Sequence, residues 1–249
     1  MLHKMLYNTG SMTETRVDTT FDFRIDANGG DPDKTSPTLR KYHRLLWSKT
    51  LPNSKLFHLD SNSGKGYLHH KSELGEFVLA SDSVLPTFLK QLKRQKYSSI
   101  FEQIPEEEVE NFEYITYTIG GMMIFPGNRI DGCMTINGAR GCHPRIADRF
   151  DLTVECIRRY YAGEESPLKT VLARYDRFFR LFENFKNYFD FFLLQDLVVD
   201  DSSAIRFSSP FDNFNSSPLP ESFEGYKSFR ERTIAFVESR NDRIADLDR

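Results

Sequence analysis

The sequence predicts an α+β fold, a helix-rich single domain with a small β-sheet. Three observations support this prediction. Residues 145–161 carry apolar side chains at helical spacing, residues 114–125 are rich in β-forming residues, and no shift in composition divides the 249-residue chain. We expect residues 1–16 to form a flexible N-terminal tail and residues 17–249 to form the domain.

The first elements are predicted from local signals. Residues 17–26 alternate between apolar and polar side chains, which favours a strand, and residues 28–33 have turn chemistry. Ser36 is suited to a helix N-cap and Pro37 to the first helical position. The sequence therefore predicts a helix over residues 38–48.

The rest of the chain contains further candidates for both element types, with a surface loop over residues 51–72. We expect helices over residues 81–96, after Pro105, over 145–161, after Ser166 and Pro167, over 184–199 and over 221–240. We expect strands over residues 114–125 and 133–136, which would pair across the loop 126–132, and a short strand at 204–207.

Composition excludes some classes of protein. The chain has 33 Lys and Arg against 36 Asp and Glu, so its net charge of −3 excludes a globally basic nucleic-acid binder but not a local basic surface. No apolar run reaches the ~20 residues of a membrane helix, and the N-terminus lacks the apolar segment of a secretory signal. We expect a cytoplasmic protein without membrane contact.

The three cysteines, Cys133, Cys142 and Cys156, are an odd number, and reduced thiols are the simplest interpretation. A zinc site would need a fourth ligand, for which His143 is the candidate, but no C-x-x-C pair is present. We therefore expect no metal site and no cofactor.

Two stretches, 34–55 and 86–99, contain basic residues and no acidic ones. Such a segregated basic face, with an aromatic side chain nearby, suits phosphate contact and base stacking. The alternative is two solvated helix faces. The predicted stacking residues are Trp47 and His43. The predicted phosphate-binding residues are Arg40, Lys41, Arg44, Lys90, Lys93 and Arg94.

Four carboxylates are candidates for catalysis. The acidic group Asp22, Asp26 and Asp31 runs from the predicted first strand into a loop, and active-site carboxylates commonly lie at strand ends and in loops. The alternative is turn formation, in which Asp33 would also take part. Asp196 falls on the phenylalanine side of the helix predicted over residues 184–199, where a buried carboxylate is a candidate acid or base unless it lies at the helix end.

Residues 135–141 predict a glycine-rich turn between a strand and a helix. Such a turn can present backbone N–H groups and an arginine to an anion, so Asn137 and Arg140 are candidate substrate-binding residues. The alternative is a tight turn whose Asn and Gly residues adopt positive φ.

The sequence resembles a bacterial family of unknown function over roughly residues 17–215. The resemblance lies in DPDKTSPTLRKYHRLLWSKTLPN (31–53), YLHHKSELGEF (67–77), IGGMMIFPGNRIDGCMTINGARG (119–141), DRFDLTVECIRRYY (148–161) and YFDFFLLQDLV (188–198). The resemblance implies a phage-defence protein that acts on DNA as a glycosylase of modified bases. The run from Gly30 to Asp33 is similar to the water-activating G-Q-D-P-Y loop of uracil-DNA-glycosylase-like enzymes, but is one residue shorter between Gly and Pro.

Two functions follow as expectations. The first is a DNA glycosylase that removes a modified base from phage DNA, with DNA as partner, Asp22 or Asp26 as the lead carboxylate and Asp31 next. The second is a non-catalytic defence or regulatory protein that binds a nucleotide or a partner protein through the same basic face. Release of a free base would distinguish them.

Overall fold

A computed structural model confirms the α+β class. It describes residues 16–53, 58–60, 67–72, 74–85, 97–199 and 204–247. A four-stranded antiparallel sheet has the strand order β1-β2-β3-β4, and a two-stranded ribbon pairs β5 with β6. The strands are β1 His58–Asp60, β2 His69–Ser72, β3 Gly75–Ser83, β4 Met122–Pro126, β5 Val198–Val199 and β6 Ala204–Ile205.

Helices account for most of the remaining regular structure. In chain order they are α1 Pro32–Thr35, α2 Pro37–Trp47, α3 Ser98–Phe101, α4 Glu106–Thr116, α5 Ile136–Cys142, α6 Phe150–Ala162, α7 Lys169–Arg174, α8 Asp176–Phe179, α9 Phe185–Phe191 and α10 Phe223–Leu247. Short 3₁₀ segments occur at Ile119–Gly121, Arg180–Phe182 and Gln195–Leu197. No helix within the described ranges is long and apolar enough to cross a bilayer.

Strand β3 is the part of the sheet that positions the candidate site. It pairs with β2 only as far as Val78, whereas β4 accompanies it from Leu79 to Ser83. Strand β2 therefore leaves one edge of β3 uncovered from Ala80 onwards. Buried backbone N–H and C=O groups need partners, so other elements must supply them at this edge.

Helix α2 begins where the local signals predict. The Ser36 hydroxyl accepts a hydrogen bond from the Leu39 N–H at 3.0 Å, and the Asp26 carboxylate accepts one from the Thr38 N–H at 3.0 Å. Leu39 and Leu46 are fully buried. The prediction of this helix is confirmed.

An arginine of α10 is buried against core residues that include Tyr42 and Phe192. Arg240 of α10 is fully buried, and its guanidinium donates to the carbonyl oxygens of Gly120, Met122 and Phe192 and to the Tyr42 hydroxyl. Burial lowers the pKa of Arg240, partly offset by Tyr42 and Tyr188. Arg240 thus joins α10 to Tyr42 of α2, to the backbone at the start of β4 and to the residue that follows α9.

The strand predicted over residues 17–26 is absent. This segment consists of bends and turns. The Asp18 carboxylate accepts a hydrogen bond from the Thr20 N–H, and the Asp22 carboxylate accepts one from the Arg24 N–H at 2.9 Å. Such local side-chain contacts compete with strand pairing, which explains the difference.

Four other predictions need correction. Residues 81–83 belong to β3 rather than to a helix, and residues 86–96 lie outside the described part of the chain. Residues 133–136 form no strand, because the Thr135 hydroxyl accepts from the Gly138 N–H and caps helix α5. Residues 114–116 end α4, and the predicted loop at 51–72 contains β1 and β2.

The helices predicted in the later part of the chain are present, but their observed bounds differ from the predicted ones. Helix α6 begins at Phe150, not at Arg145, because Ala147 and Asp148 have positive φ angles of 46° and 64°. The helix predicted over residues 184–199 ends at Phe191, since Leu193 has a φ of 57°. The helix predicted after Ser166 is divided into α7, α8 and a 3₁₀ turn. Strand β6 and helix α10 confirm the last two predictions.

Candidate functional site

Ser81 is the centre of a polar cluster at the uncovered edge of β3. Its N–H donates to Asp33 Oδ2 at 2.8 Å, and its carbonyl oxygen accepts from Asn137 Nδ2 at 3.4 Å. Its hydroxyl lies 2.8 Å from His43 Nε2. We call this group, with the neighbouring Asp82 and Arg140, the β3-edge cluster. Its members are Asp33, His43, Ser81, Asp82, Asn137 and Arg140.

Asp33 is held as a carboxylate in this cluster. It is 8% exposed, and its Oδ1 lies 3.4 Å from His43 Nε2. Burial acts to raise the pKa of Asp33, but the contacts with His43 and Ser81 outweigh burial and hold the pKa below its ordinary value. The carboxyl is therefore charged at neutral pH.

The cluster is not a serine-protease relay. In such a relay the aspartate bonds the histidine Nδ1 while Nε2 faces the serine. Here Asp33 and Ser81 both lie against Nε2 of His43. The geometry thus gives Ser81 no activated nucleophilic role.

Three buried polar atoms of the cluster have no hydrogen-bond partner within the described part of the chain. They are Asp33 Oδ1, His43 Nδ1 and Asn137 Oδ1. Buried polar atoms in proteins are nearly always hydrogen-bonded, to water or a ligand where not to protein. Their proximity to Ser81 makes this edge a candidate binding site.

Arg140 joins two carboxylates on the other side of the cluster. It is fully buried, and its NH1 donates to Asp82 at 2.5 Å and to Asp148 at 2.6 Å. Its Nε donates to the Thr153 hydroxyl at 3.0 Å. Arg140 is therefore occupied by protein partners, although the sequence predicts that it binds substrate.

Asp82 is the member of this pair that reaches the surface. Its side chain is 29% exposed, against 6% for Asp148. Desolvation raises the pKa of Asp82 to about 6, with Arg140 lowering it and the Asp148 charge raising it. Such a carboxyl can hold or release a proton near neutral pH.

Residues 22–33, which we call the acidic loop, contribute carboxylates of very different accessibility. The Asp22 side chain is 6% exposed and is held by the Arg24 guanidinium at 2.6 Å. Asp26 caps α2 through the Thr38 N–H. The Asp31 side chain is 37% exposed, and it accepts hydrogen bonds from the Asp33 N–H and, at 2.7 Å, from the Tyr67 hydroxyl.

Tyr67 belongs to the same neighbourhood. The hydrogen bond to Asp31 raises the pKa of Tyr67 to about 12, with burial and the charges of Asp31 and Asp33 acting in the same direction. The phenol therefore stays protonated and donates to Asp31. Lys34 Nζ lies 3.7 Å from the Asp31 carboxylate and 4.6 Å from the centre of the Tyr67 ring.

The predicted cations of α2 lie beside this loop. Arg40 donates to the Asp33 carbonyl oxygen at 3.1 Å. Burial lowers the pKa of Arg40, and the positive charge of Arg44 lowers it further, so the two guanidinium groups are close. Lys41 Nζ is buried without a hydrogen-bond partner among the residues described. Lys90, Lys93 and Arg94 lie outside the described residues.

Two predicted site residues are placed elsewhere. Trp47 is 1% exposed and stacks on His70 in the core, with ring centroids 5.4 Å apart. Asp196 lies beyond the end of α9, 30% exposed and paired with Arg243 at 2.7 Å. The prediction that Asp196 is buried among phenylalanines is wrong, because the helix stops at Phe191.

Sequence reasoning missed Tyr67, Ser81 and Asp82. The run Phe77–Leu79 consists of β-forming apolar residues and could have indicated a strand leading to Ser81. No sequence signal indicates Tyr67. Within the described ranges, no group of three or more His, Cys, Asp or Glu residues is arranged to hold a metal ion.

Comparisons with known proteins complete the description of the site. Neither the curated proteins nor the solved structures gave a match. The model of a family of unknown function, DUF6994, matches residues 17–244, which include every member of the β3-edge cluster and the acidic loop. The chain therefore belongs to the DUF6994 family of unknown function.

Proposed function

We propose that the protein is a DNA glycosylase that removes a modified base from phage DNA and leaves an abasic site. The observation that carries the proposal is the position of Asp31, a half-exposed carboxylate that contacts Tyr67 and Lys34 and lies two residues before Asp33, whose carbonyl oxygen accepts from Arg40 of α2. A glycosylase needs such a carboxylate and a phosphate-binding surface close together.

Accessibility selects Asp31 among the carboxylates of the loop. Its side chain is 37% exposed, against 6% for Asp22 and 10% for Asp33. A group that acts on a sugar must reach it. Asp22 and Asp33 are enclosed by protein partners, and Asp26 caps α2, so these three position the loop.

The chemistry of the reaction fits this placement. As the bond between the base nitrogen and the sugar C1′ breaks, its electron pair leaves with the base and positive charge develops on the sugar. The Asp31 carboxylate stabilises that charge. A water adds to C1′, and the proton that it loses neutralises the departing base, so that the products are the free base and an abasic sugar. Tyr67 and the Asp33 N–H fix the orientation of the carboxylate throughout.

The neighbouring cations have a separate role. Lys34, Arg40 and Arg44 bind the phosphates on either side of the nucleotide that is flipped out of the duplex.

The test is the release of a free base. The protein is incubated with duplex DNA that contains glucosylated hydroxymethylcytosine, hydroxymethylcytosine or cytosine, and the products are analysed by mass spectrometry and by alkaline cleavage at abasic sites. Asp31→Asn should keep the α1 cap, since Asn caps helices as well as Asp. It should lower the rate at least about 100-fold.

Asp18→Asn is the matched control, because Asp18 is exposed and caps only its own turn. An Asp31→Asn variant that releases base as fast as the parent contradicts the assignment of Asp31. Absence of base release from all three DNAs contradicts the glycosylase proposal.

A non-catalytic nucleotide-binding protein is the second candidate. The burial of His43 and Asp33, which are 1% and 8% exposed, favours it, because a buried polar cluster can serve to shape a binding surface. This candidate predicts DNA or nucleotide binding without base release, and no effect of Asp31→Asn on that binding.

A further inference from the structure

A cleft distinct from the β3-edge cluster lies between α10 and the segment that follows β6. Its volume is about 470 Å³. Sites for small organic ligands are typically about 300–1,000 Å³ in volume. Its lining includes Asp196, Leu197, Arg206, Phe207, Arg232 and Phe236. None of these residues belongs to the β3-edge cluster or the acidic loop.

The floor of the cleft is apolar. Leu197 is 4% exposed and Phe236 is 6% exposed, and both belong to the main hydrophobic core. Phe207 packs partly buried against the same core and forms a side of the cleft. A flat aromatic or aliphatic group of a ligand would therefore remove apolar surface from water on both sides.

The rim of the cleft is cationic. Arg206 and Arg232 are both exposed, and Arg232 is held over the cleft by a hydrogen bond from its NH1 to the Phe207 carbonyl oxygen at 3.2 Å. The one carboxylate among the described lining residues is Asp196, and both of its oxygens accept from Arg243, at 2.7 and 3.1 Å. The charges of Arg206 and Arg232 are thus not balanced by the carboxylate of the cleft.

We propose that this cleft binds a small organic anion, whose apolar body lies on Leu197 and Phe236 and whose carboxylate or phosphate is held by Arg206 and Arg232. Guanidinium groups bind both kinds of anion through paired N–H donors. The proposal does not depend on the glycosylase activity, because no residue is shared between the two sites.

Isothermal titration calorimetry with phenyl phosphate and with benzoate tests the proposal. Benzyl alcohol supplies the same ring without charge, and inorganic phosphate supplies the charge without the ring. We expect saturable 1:1 binding of at least one aryl anion and at least about tenfold weaker binding of both control compounds. The preferred anion identifies the headgroup.

Arg206→Gln and Arg232→Gln should each weaken the binding of the aryl anion about tenfold, whereas Arg177→Gln, which changes an exposed arginine of α8, should leave it unchanged. Circular dichroism and thermal unfolding verify that each variant is folded. Absence of saturable binding of both aryl anions at millimolar concentration overturns the proposal. Binding that survives both cleft substitutions, or equal binding of benzyl alcohol, overturns it as well.

Discussion

The N–H of Ser81 donates a hydrogen bond of 2.8 Å to the carboxylate of Asp33, which lies 48 positions earlier in the chain. This contact replaces the strand partner that β2 does not provide at the edge of β3. It also places Asp33 within 3.4 Å of His43 Nε2, so that the acidic loop, α2 and the sheet meet at one carboxylate.

Asp33→Asn should destabilise the protein in a pH-dependent manner. The substitution keeps the volume but removes the charge that His43 and the Ser81 N–H stabilise, and we expect a loss of about 1–3 kcal/mol in the free energy of unfolding at pH 7. The measurement is urea denaturation of both proteins at several pH values.

The sign of the pH dependence follows from the pKa of Asp33, which is lower in the folded protein than the ordinary value of 3.8. The stabilisation that the Asp33 charge provides is complete at about one pH unit above 3.8. It is lost as the pH falls through the pKa of Asp33 in the folded protein. The difference between parent and variant should therefore shrink at acidic pH. A difference that stays constant from pH 7 to pH 3 would show that the Asp33 charge contributes nothing.

Asp82→Asn should have the opposite pH dependence. The pKa of Asp82 is raised to about 6 in the folded protein, from an ordinary value of 3.8. Ionisation of Asp82 therefore opposes folding, and the parent should lose stability relative to the variant as the pH rises from about 4 to about 6. Urea denaturation at pH 4 and pH 7 measures this. A variant that is relatively less stable at pH 7 than at pH 4 contradicts the prediction.

Arg140→Met should be far more damaging than either aspartate substitution. It removes the buried partner of Asp148, whose side chain is 6% exposed, and leaves an uncompensated buried carboxylate. The expected loss is about 3–5 kcal/mol in the free energy of unfolding. The exposed Arg145 provides the control, since Arg145→Met should change stability little. A loss below about 1 kcal/mol for Arg140→Met would mean that Asp148 finds another partner or a proton.

Local rules were enough to predict α2. Its start depends on Ser36 and Pro37, which act on the next few residues only. The strand predicted at 17–26 failed for a related reason, because the Asp22 carboxylate bonds the Arg24 N–H and guanidinium within the turn. Alternation of residue types does not reveal such side-chain contacts.

The site depends on contacts between residues that are far apart in the sequence, which rules based on neighbouring residues do not predict. Arg140 and Asp82 are 58 positions apart, and Tyr67 and Asp31 are 36 apart. The sequence indicated His43, Asn137 and Arg140, which the structure brings to one strand edge, but not that β2 begins only at His69, opposite Val78, and leaves that edge without a strand partner. The geometry of the cluster therefore could not be predicted without the three-dimensional fold.

Arg40 and Arg44 of α2 should make the proposed binding of DNA depend on salt. Each phosphate that the protein neutralises makes the slope of log K against log salt concentration more negative by about 0.9 for duplex DNA. Arg44 is exposed, so Arg44→Gln should leave the fold intact, weaken binding and reduce the magnitude of the slope by about 0.9. Arg177→Gln, which changes an exposed arginine of α8, should alter neither quantity. Fluorescence anisotropy of a labelled duplex at 50–200 mM salt measures both, and an unchanged slope in Arg44→Gln would remove α2 from the DNA-binding surface.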